Sequence, residues 1–365
     1  MKSKTALIMA GGTGGHIFPG LALAEKLIQH GWNVEWMGTA DRLEADLVPK
    51  HNIPIHFIEI KGLRGNGLLR KLGFPFSILK AFLQAKKIIS NMKPDVVIGF
   101  GGYASGPGGL AVKALNIPLI VHEQNAVLGM TNKWLSKFSA HTCLAFELSG
   151  GTKLPNAEVI GNPVRHEIVE LGKLPKRTLT PESHFRILVI GGSLGAKVFN
   201  EELPALFGNF AQAHSVEIRH QCGKDNKTAV LAGYTQLAMD DGQLLVEVDE
   251  FIHDMTSALS WCDLVVCRAG ALTVSELAAS GNAGIFVPLP HAVDDHQTAN
   301  AMWLVEQSAG LLVPQANLGK LTSVLTELAL NPNKINEMQS RANKVARNDA
   351  TQELYSLCQK LEISN

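Results

Sequence analysis

The sequence predicts an α/β protein of two Rossmann-like domains, each a doubly wound parallel sheet, facing one another across a cleft. Three observations carry that expectation. Short apolar runs alternate with amphipathic stretches, the alternation restarts near residue 185, and a glycine cluster follows the opening apolar run of each half. At 365 residues the chain is too long for one ordinary core and suits two domains of roughly 150 to 200 residues.

In the first half, apolar runs at Ala6–Ala10, Val34–Met37, Ile55–Ile60, Val96–Phe100 and Leu119–His122 alternate with helical patterns starting near Gly15, Asp41, Leu68, Ser105 and Leu128. That rhythm is βαβ, hence a parallel sheet. The first run is too short for a signal sequence or a membrane span and enters glycines directly, so it reads as a buried strand. The second half repeats the pattern with strands at Phe185–Ile190, Ser215–Gln221, Gln243–Val248, Leu264–Cys267 and Ala283–Pro288. The polar, proline-containing stretch from Lys153 to about Glu182 separates the halves. The expected domains are residues 1–162, residues 163–340, and a terminal helix over 341–365 packing back on the first.

Composition narrows the function. Hydrophobic residues make up 46% of the chain and charged residues 18%, balanced at 33 against 33, so the chain is globular and has no bulk electrostatic reason to bind nucleic acid. Five cysteines without a CxxC pair, mostly inside apolar runs, suit a reducing cytoplasm and give no structural zinc site.

Glycines between a buried strand and a helix let a ligand approach the backbone and reach the first helical amides, which makes such loops seats for phosphate or sugar. Gly11–His16 and Gly191–Ala196 both have this form; a tight βα turn with no ligand is the plain alternative for either one alone. Neither half carries the GxGxxG spacing with an acidic residue ending the next strand, since the second strands run to Thr39 and Gly223, so a nicotinamide dinucleotide is not expected. Gly191–Lys197 lacks the spacing and the hydroxyl of a Walker loop. No Asp-x-Asp pair occurs in the chain, so a diphosphate would be neutralised by backbone dipoles and side-chain donors, with no cofactor and no metal.

Several longer blocks follow in a fixed order: Gly11–Gly20, Gly99–Gly109, His122-Glu-Gln-Asn125, Gly161-Asn-Pro-Val-Arg165, Gly191–Ala196 and Cys267–Glu276. In these the chain resembles the inverting GT-B glycosyltransferases of family 28, from about Lys4 to Gln297. The resemblance implies transfer of N-acetylglucosamine from UDP-GlcNAc to the C4 hydroxyl of MurNAc-pentapeptide on undecaprenyl diphosphate (lipid I), giving lipid II in peptidoglycan biosynthesis. It further implies a peripheral position on the cytoplasmic face of the bacterial inner membrane, and cell-wall or division proteins as further partners.

Carried over motif by motif, the resemblance assigns the uracil to Arg165 and the backbone at Ile252, the ribose hydroxyls to Glu276, and the diphosphate to Ser193. A helix N-terminus formed by Ala271, Leu272 and Thr273, continuing through Val274 and Ser275, would face the same anion. Gln297 would read the sugar hydroxyls if one residue is inserted here, with His296 as the rival, and Asn125 would touch the donor sugar or else cap the following helix. Glu276 as a solvated helix charge and Arg165 as a surface ion pair are the plain alternatives.

Thr13, Gly14 and Gly15 are assigned to the donor site where it meets the acceptor at the reaction centre. His16 is the first choice for general base, because a histidine's ordinary pKa of about 6.5 suits proton abstraction near neutrality; Glu123 is the second. The acceptor would be held by His16, Glu123, Tyr103 and Ser105, the last two in a second glycine loop able to take its diphosphate. In the stretch from Leu68 to Phe82, Leu72, Phe74, Phe76, Leu79 and Phe82 mix with Arg70, Lys71 and Lys80, a composition suited to an anionic bilayer surface. The competing reading is a helix buried in its own domain. Rival functions are a GT-B transferase with another lipid acceptor, a UDP-GlcNAc epimerase, and a non-catalytic sugar-nucleotide binding module.

Overall fold

The structure, a computed structural model, describes residues 4–60, 68–154, 156–180, 182–192, 194–235 and 244–363. The chain divides into two compact units, residues 1–165 with 347–365, and residues 166–346. The first division thus falls after Arg165, and the last helix belongs to the first unit.

The first unit is a seven-stranded, all-parallel sheet of β1 (Thr5–Ala10), β2 (Asn33–Gly38), β3 (Ile55–Phe57), β4 (Val96–Gly101), β5 (Leu119–Glu123), β6 (His141–Leu144) and β7 (Ala157–Val159), in the order β3-β2-β1-β4-β5-β6-β7. Its helices are α1 (Gly14–Gln29), α2 (Leu43–Leu47), α3 (Leu68–Met92), α4 (Ser105–Ala114), α5 (Met130–Leu135) and, from the C-terminus of the chain, α14 (Ala350–Ile363). Alternation along β1 builds two cores. Ala6, Ile8 and Ala10 pack on one face with Leu21, Leu27, Leu354 and Cys358 of α1 and α14. Leu7 and Met9 pack on the other with Ala81, Ala85, Ile89 and Val112 of α3 and α4. A strand covered on both faces is a continuous apolar run, which is why β1 is unbroken by polar residues. Truncating Leu7 to alanine would cost about 2–5 kcal/mol.

The second unit is a six-stranded parallel sheet, β10-β9-β8-β11-β12-β13, of β8 (Phe185–Ile190), β9 (Val216–Gln221), β10 (Leu244–Asp249), β11 (Leu264–Cys267), β12 (Ala283–Phe286) and β13 (Gly310–Leu312). It carries α6 (His166–Leu171), α7 (Lys197–Ala211), α8 (Lys227–Thr235), α9 (Met255–Trp261), α10 (Ala271–Ser280), α11 (His296–Val305), α12 (Leu321–Leu330) and α13 (Asn333–Val345). Phe185, Ile187 and Val189 of β8 pack against Phe199, Leu203, Phe207 and Phe210 of α7.

Strands β6, β7 and β13 were not expected from the sequence. β7 and β13 are three residues long, too short for apolar alternation to stand out, and the four residues of β6 open on the polar pair His141-Thr142. The run expected over Ile55–Ile60 pairs only at Ile55–Phe57.

Both sheets reverse their winding between the first and fourth strands of their unit. In an open parallel sheet the ligand crevice lies at the carboxyl ends of the strands beside such a reversal. The reversal falls between β1 and β4 in the first unit and between β8 and β11 in the second, so both glycine clusters stand at a binding crevice.

Candidate active site

In the second unit a cavity of about 740 Å³ opens at the carboxyl ends of β8 and β11. The glycine loop after β8 forms one wall. Gly192 has φ +91° and Gly195 φ +73°; a Cβ on Gly195 would stand 2.0 Å from the Cys222 carbonyl oxygen, so this turn admits only glycine. Gly270 caps α10 in extended conformation without a side-chain cap and lines the cavity with Thr273, so the positive end of the α10 dipole faces the space.

The other wall is Arg268, the residue after β11. Its guanidinium donates to the carbonyls of Val287 (3.0 Å) and Pro288 (3.1 Å) and to Gln315 Oε1 (2.7 Å), and lies 4.6 Å over the Phe199 ring. Burial lowers its pKa from the ordinary value, but a guanidinium stays charged in proteins. All three of those hydrogen-bond partners are neutral oxygens, so the charge remains available to an anion entering the cavity. At the rim, Lys197 and Glu201 form an exposed ion pair at 3.5 Å, which adds little.

Gln297 lines this cavity and is tethered, its Oε1 accepting from the Leu289 amide at 2.9 Å; His296 begins α11. Ala271, Leu272, Thr273, Val274, Ser275 and Glu276 all lie on α10. Glu276 is only 9% exposed, so it is not a solvated surface charge. Ile252 lines a separate hollow of about 330 Å³ with Phe251, His253 and Ser257. Ser193 lies outside the described residues.

In the first unit a buried side chain takes one amide of the loop after β1. Glu44 of α2 is fully buried, and its carboxylate accepts from the Gly12 amide (2.9 Å), the Thr39 amide (3.0 Å) and the Thr39 hydroxyl (2.8 Å). The Gly12 amide is therefore taken. Thr13 caps α1: its carbonyl accepts from the His16 amide at 3.1 Å, and its hydroxyl is 3.3 Å from His16 Nδ1. Thr13 is exposed; Gly14, Gly15 and His16 are half-buried.

The loop after β4 meets this one. Gly101 (φ +100°) passes so close to the His16 ring that a Cβ would be 3.2 Å from Nε2, and a Cβ on Gly102 would be 2.4 Å from the Gly11 carbonyl oxygen. Ser105 is fully buried and its hydroxyl bonds to the carbonyls of Gly101 (2.7 Å) and Met9 (3.1 Å); it fastens the loop and presents no hydroxyl to a ligand. Tyr103 is partly exposed, with Arg42 5.6 Å from its ring centre.

Glu123, the second choice for base, is buried and accepts four hydrogen bonds: from the Asn125 amide (3.0 Å) and side chain (3.2 Å), the Gly129 amide (3.0 Å) and Asn132 Nδ2 (2.8 Å). A carboxylate so committed shapes the β5–α5 turn and holds Asn125. Next to it, His122 Nε2 donates to the Gly161 carbonyl (2.9 Å) and Nδ1 accepts from Gln124 Nε2 (3.0 Å); Asn162 Nδ2 reaches the Gln124 carbonyl at 3.2 Å. Burial drives the His122 pKa down to about 4, so it is neutral. Two blocks that the sequence showed far apart, 122–125 and 161–165, are thereby joined. Arg165 ends this unit, 5.6 Å from the Phe18 ring centre.

Residues 6–143 match the glycosyltransferase family 28 N-terminal domain, and residues 186–354 match the C-terminal domain of the same family. The chain belongs to glycosyltransferase family 28. Its curated relatives include the UDP-N-acetylglucosamine–N-acetylmuramyl-(pentapeptide) pyrophosphoryl-undecaprenol N-acetylglucosamine transferase of Shewanella frigidimarina, 51% identical over 98% of this chain and 96% of that one. The enzyme of the same name from Shewanella sp. strain MR-4 is 52% identical over 97% of each chain. Among solved structures, MurG of Acinetobacter baumannii matches with TM-score 0.80 at 40% identity, covering 98% of this chain and 99% of that one. A UDP-N-acetylglucosamine 2-epimerase from Listeria monocytogenes, described as putative, matches with TM-score 0.66 at 14% identity, a likeness of fold alone.

Within this family-28 chain, sequence reasoning passed over Arg268, Glu44, Gln315 and Asn132. Arg268 had a signal: it stands inside the Cys267–Glu276 block, one residue past a strand. Glu44 had none, because a single acidic residue in a polar stretch reads as surface.

Proposed function

We propose that this glycosyltransferase moves N-acetylglucosamine from UDP-GlcNAc to the C4 hydroxyl of lipid I, forming the β-1,4-linked lipid II. Likeness of 51–52% over nearly the whole of both chains to transferases named for this reaction carries the reading.

The 740 Å³ cavity supplies the leaving-group chemistry. UDP departs as a diphosphate, and the charge that develops on its β-phosphate is met by the Arg268 guanidinium and the N-terminus of α10, placed before the reaction begins. Those fixed charges take the part a divalent cation plays elsewhere, so the reaction needs no added metal. Glu276, an acceptor when ionised, suits the ribose diol, and Gln297 the sugar hydroxyls. In the first unit His16 accepts the proton of the attacking hydroxyl, because Glu123 is committed to four donors. The acceptor oxygen bonds to the anomeric carbon as the bond to UDP breaks, inverting that centre. With lipid I, UDP-GlcNAc and EDTA, chromatography should show equimolar UDP and a disaccharide lipid. No disaccharide lipid would overturn the reaction, and activity lost to EDTA and restored by Mg²⁺ would overturn the metal-free mechanism.

Peripheral attachment to an anionic bilayer on the cytoplasmic side belongs to the same reading. No helix among the described residues is long and apolar enough to cross a membrane. On α3, Phe76 (77% exposed), Leu79 (53%) and Leu83 (55%) form an apolar stripe, with Lys80 beside it paired to Glu59 at 2.7 Å. Phe82 packs into the unit's own core, so it is not on that stripe; the side chains of Arg70, Lys71, Leu72 and Phe74 lie outside the described residues. Sedimentation with phosphatidylglycerol vesicles should capture the protein, and Phe76→Ser with Leu79→Ser should weaken capture about 10-fold or more. Equal capture of the variant would remove this face from the contact.

A further inference from the structure

We propose that Glu44 is a positioning residue for the transfer reaction, holding the first glycine loop so that His16 meets the acceptor hydroxyl; this rests on the reading of His16 as the proton acceptor. The carboxylate lies where β1 and β2 end, and two glycines admit it. A Cβ on Gly11 would stand 2.3 Å from Glu44 Oε1, and one on Gly38 2.6 Å from its Cγ. A fully buried carboxylate is costly unless its oxygens are hydrogen-bonded, and charge-assisted bonds to it are stronger than neutral ones. Here one oxygen takes both donors of Thr39 and the other takes the Gly12 amide.

From Gly12 the effect passes along four residues. Gly12, at φ +95°, sets the direction of Thr13, whose carbonyl holds the His16 amide and whose hydroxyl is 3.3 Å from the His16 ring. On the far side the loop after β4 leaves no room for a side chain: a Cβ on Gly101 would stand 3.2 Å from the same ring, and one on Gly102 2.4 Å from the Gly11 carbonyl oxygen. His16 thus stands beside two glycine loops, half-buried, and the carboxylate holds the nearer one at Gly12. A glutamine at position 44 has the same size but one donor and one acceptor. Whichever way its amide turns, either Gly12 or Thr39 faces a donor, so the loop must shift, and a displacement of about 1 Å at a reacting group can cost on the order of 100-fold in rate.

The experiment compares wild type with Glu44→Gln for kcat and both KM values in lipid I transfer, for UDP affinity by calorimetry, and for the His16 imidazole resonance. The expected result is a folded variant with kcat about 10- to 100-fold lower, unchanged UDP affinity and UDP-GlcNAc KM, and a displaced His16 resonance. A folded variant with wild-type kcat overturns the proposal, as does one whose UDP affinity falls in step with kcat. Should Glu44→Gln fail to fold, Thr39→Val and Thr39→Ser decide: lower kcat in the first with recovery in the second supports the proposal, and wild-type kcat in Thr39→Val overturns it. If wild type makes no disaccharide lipid, the assigned reaction fails; the His16 resonance in Glu44→Gln then decides alone, a displaced signal supporting the positioning role and an unmoved one overturning it.

Discussion

In the first unit the loop after β1 closes over a buried carboxylate, Glu44, which takes the Gly12 amide. In the second, the loop after β8 opens on a cavity walled by the buried guanidinium of Arg268. Both loops are glycine-rich, follow the first strand of their sheet and stand at its reversal point. The fold thus places both loops alike, and a buried charge beside each, Glu44 in the first and Arg268 in the second, bears on what it can hold. A cationic wall beside a helix N-terminus suits a leaving diphosphate. A loop already supplied with an anion suits a neutral hydroxyl and a base, and would repel a phosphate placed on Gly12.

The comparison breaks if the two units do not divide the work. His16→Ala should lower kcat by about 10² to 10⁴-fold, the usual span for a general base, with UDP affinity unchanged. Arg268→Met, which keeps the length and loses the charge, should lower kcat/KM by about 10² to 10³-fold and weaken UDP binding in calorimetry. Arg268→Lys should recover only part, since an ammonium lacks the planar fork that serves Val287, Pro288 and Gln315 together. UDP affinity lost in His16→Ala, or retained in Arg268→Met, would show that the charge difference does not set the division.

How much of this the sequence showed depends on whether the decisive interaction is local. The strands that carry the loops are largely apolar runs of four to six residues, and β1, β8 and β11 stand where periodicity put them. The glycine clusters and the Cys267–Glu276 block are contiguous and legible as such. Glu44 was not legible, because its meaning comes from Gly12 and Gly38, which lie 32 and 6 positions away and meet it only once the sheet is formed. Ser105 and Glu123 were legible as residues of interest but not in role. A hydroxyl or carboxylate in a glycine-rich turn serves a ligand or the turn itself equally well, and only their partners show that both serve the turn.

The smallest expected effect concerns a second matched pair. Each unit buries one histidine whose pKa burial pushes down to about 4: His122 in the first and His220 in the second. His122 is bonded at both ring nitrogens, whereas His220 bonds Tyr234 through Nδ1 (3.0 Å) and its Nε2 has no partner among the described residues. Unfolded histidine titrates at about 6.5. As pH falls below that value the unfolded chain binds protons that the folded chain refuses, so stability is whole above about pH 6.5 and drains as pH falls toward 4. At pH 5 each histidine should cost about 2 kcal/mol relative to neutral pH. In urea titrations at pH 7.5 and 5.0, His220→Phe should show a shallower loss than wild type by about that amount, although it strands the Tyr234 hydroxyl and starts less stable. An unchanged difference between the two pH values would mean that His220 accepts its proton in the folded state, and that its unbonded nitrogen, unlike either nitrogen of His122, reaches water.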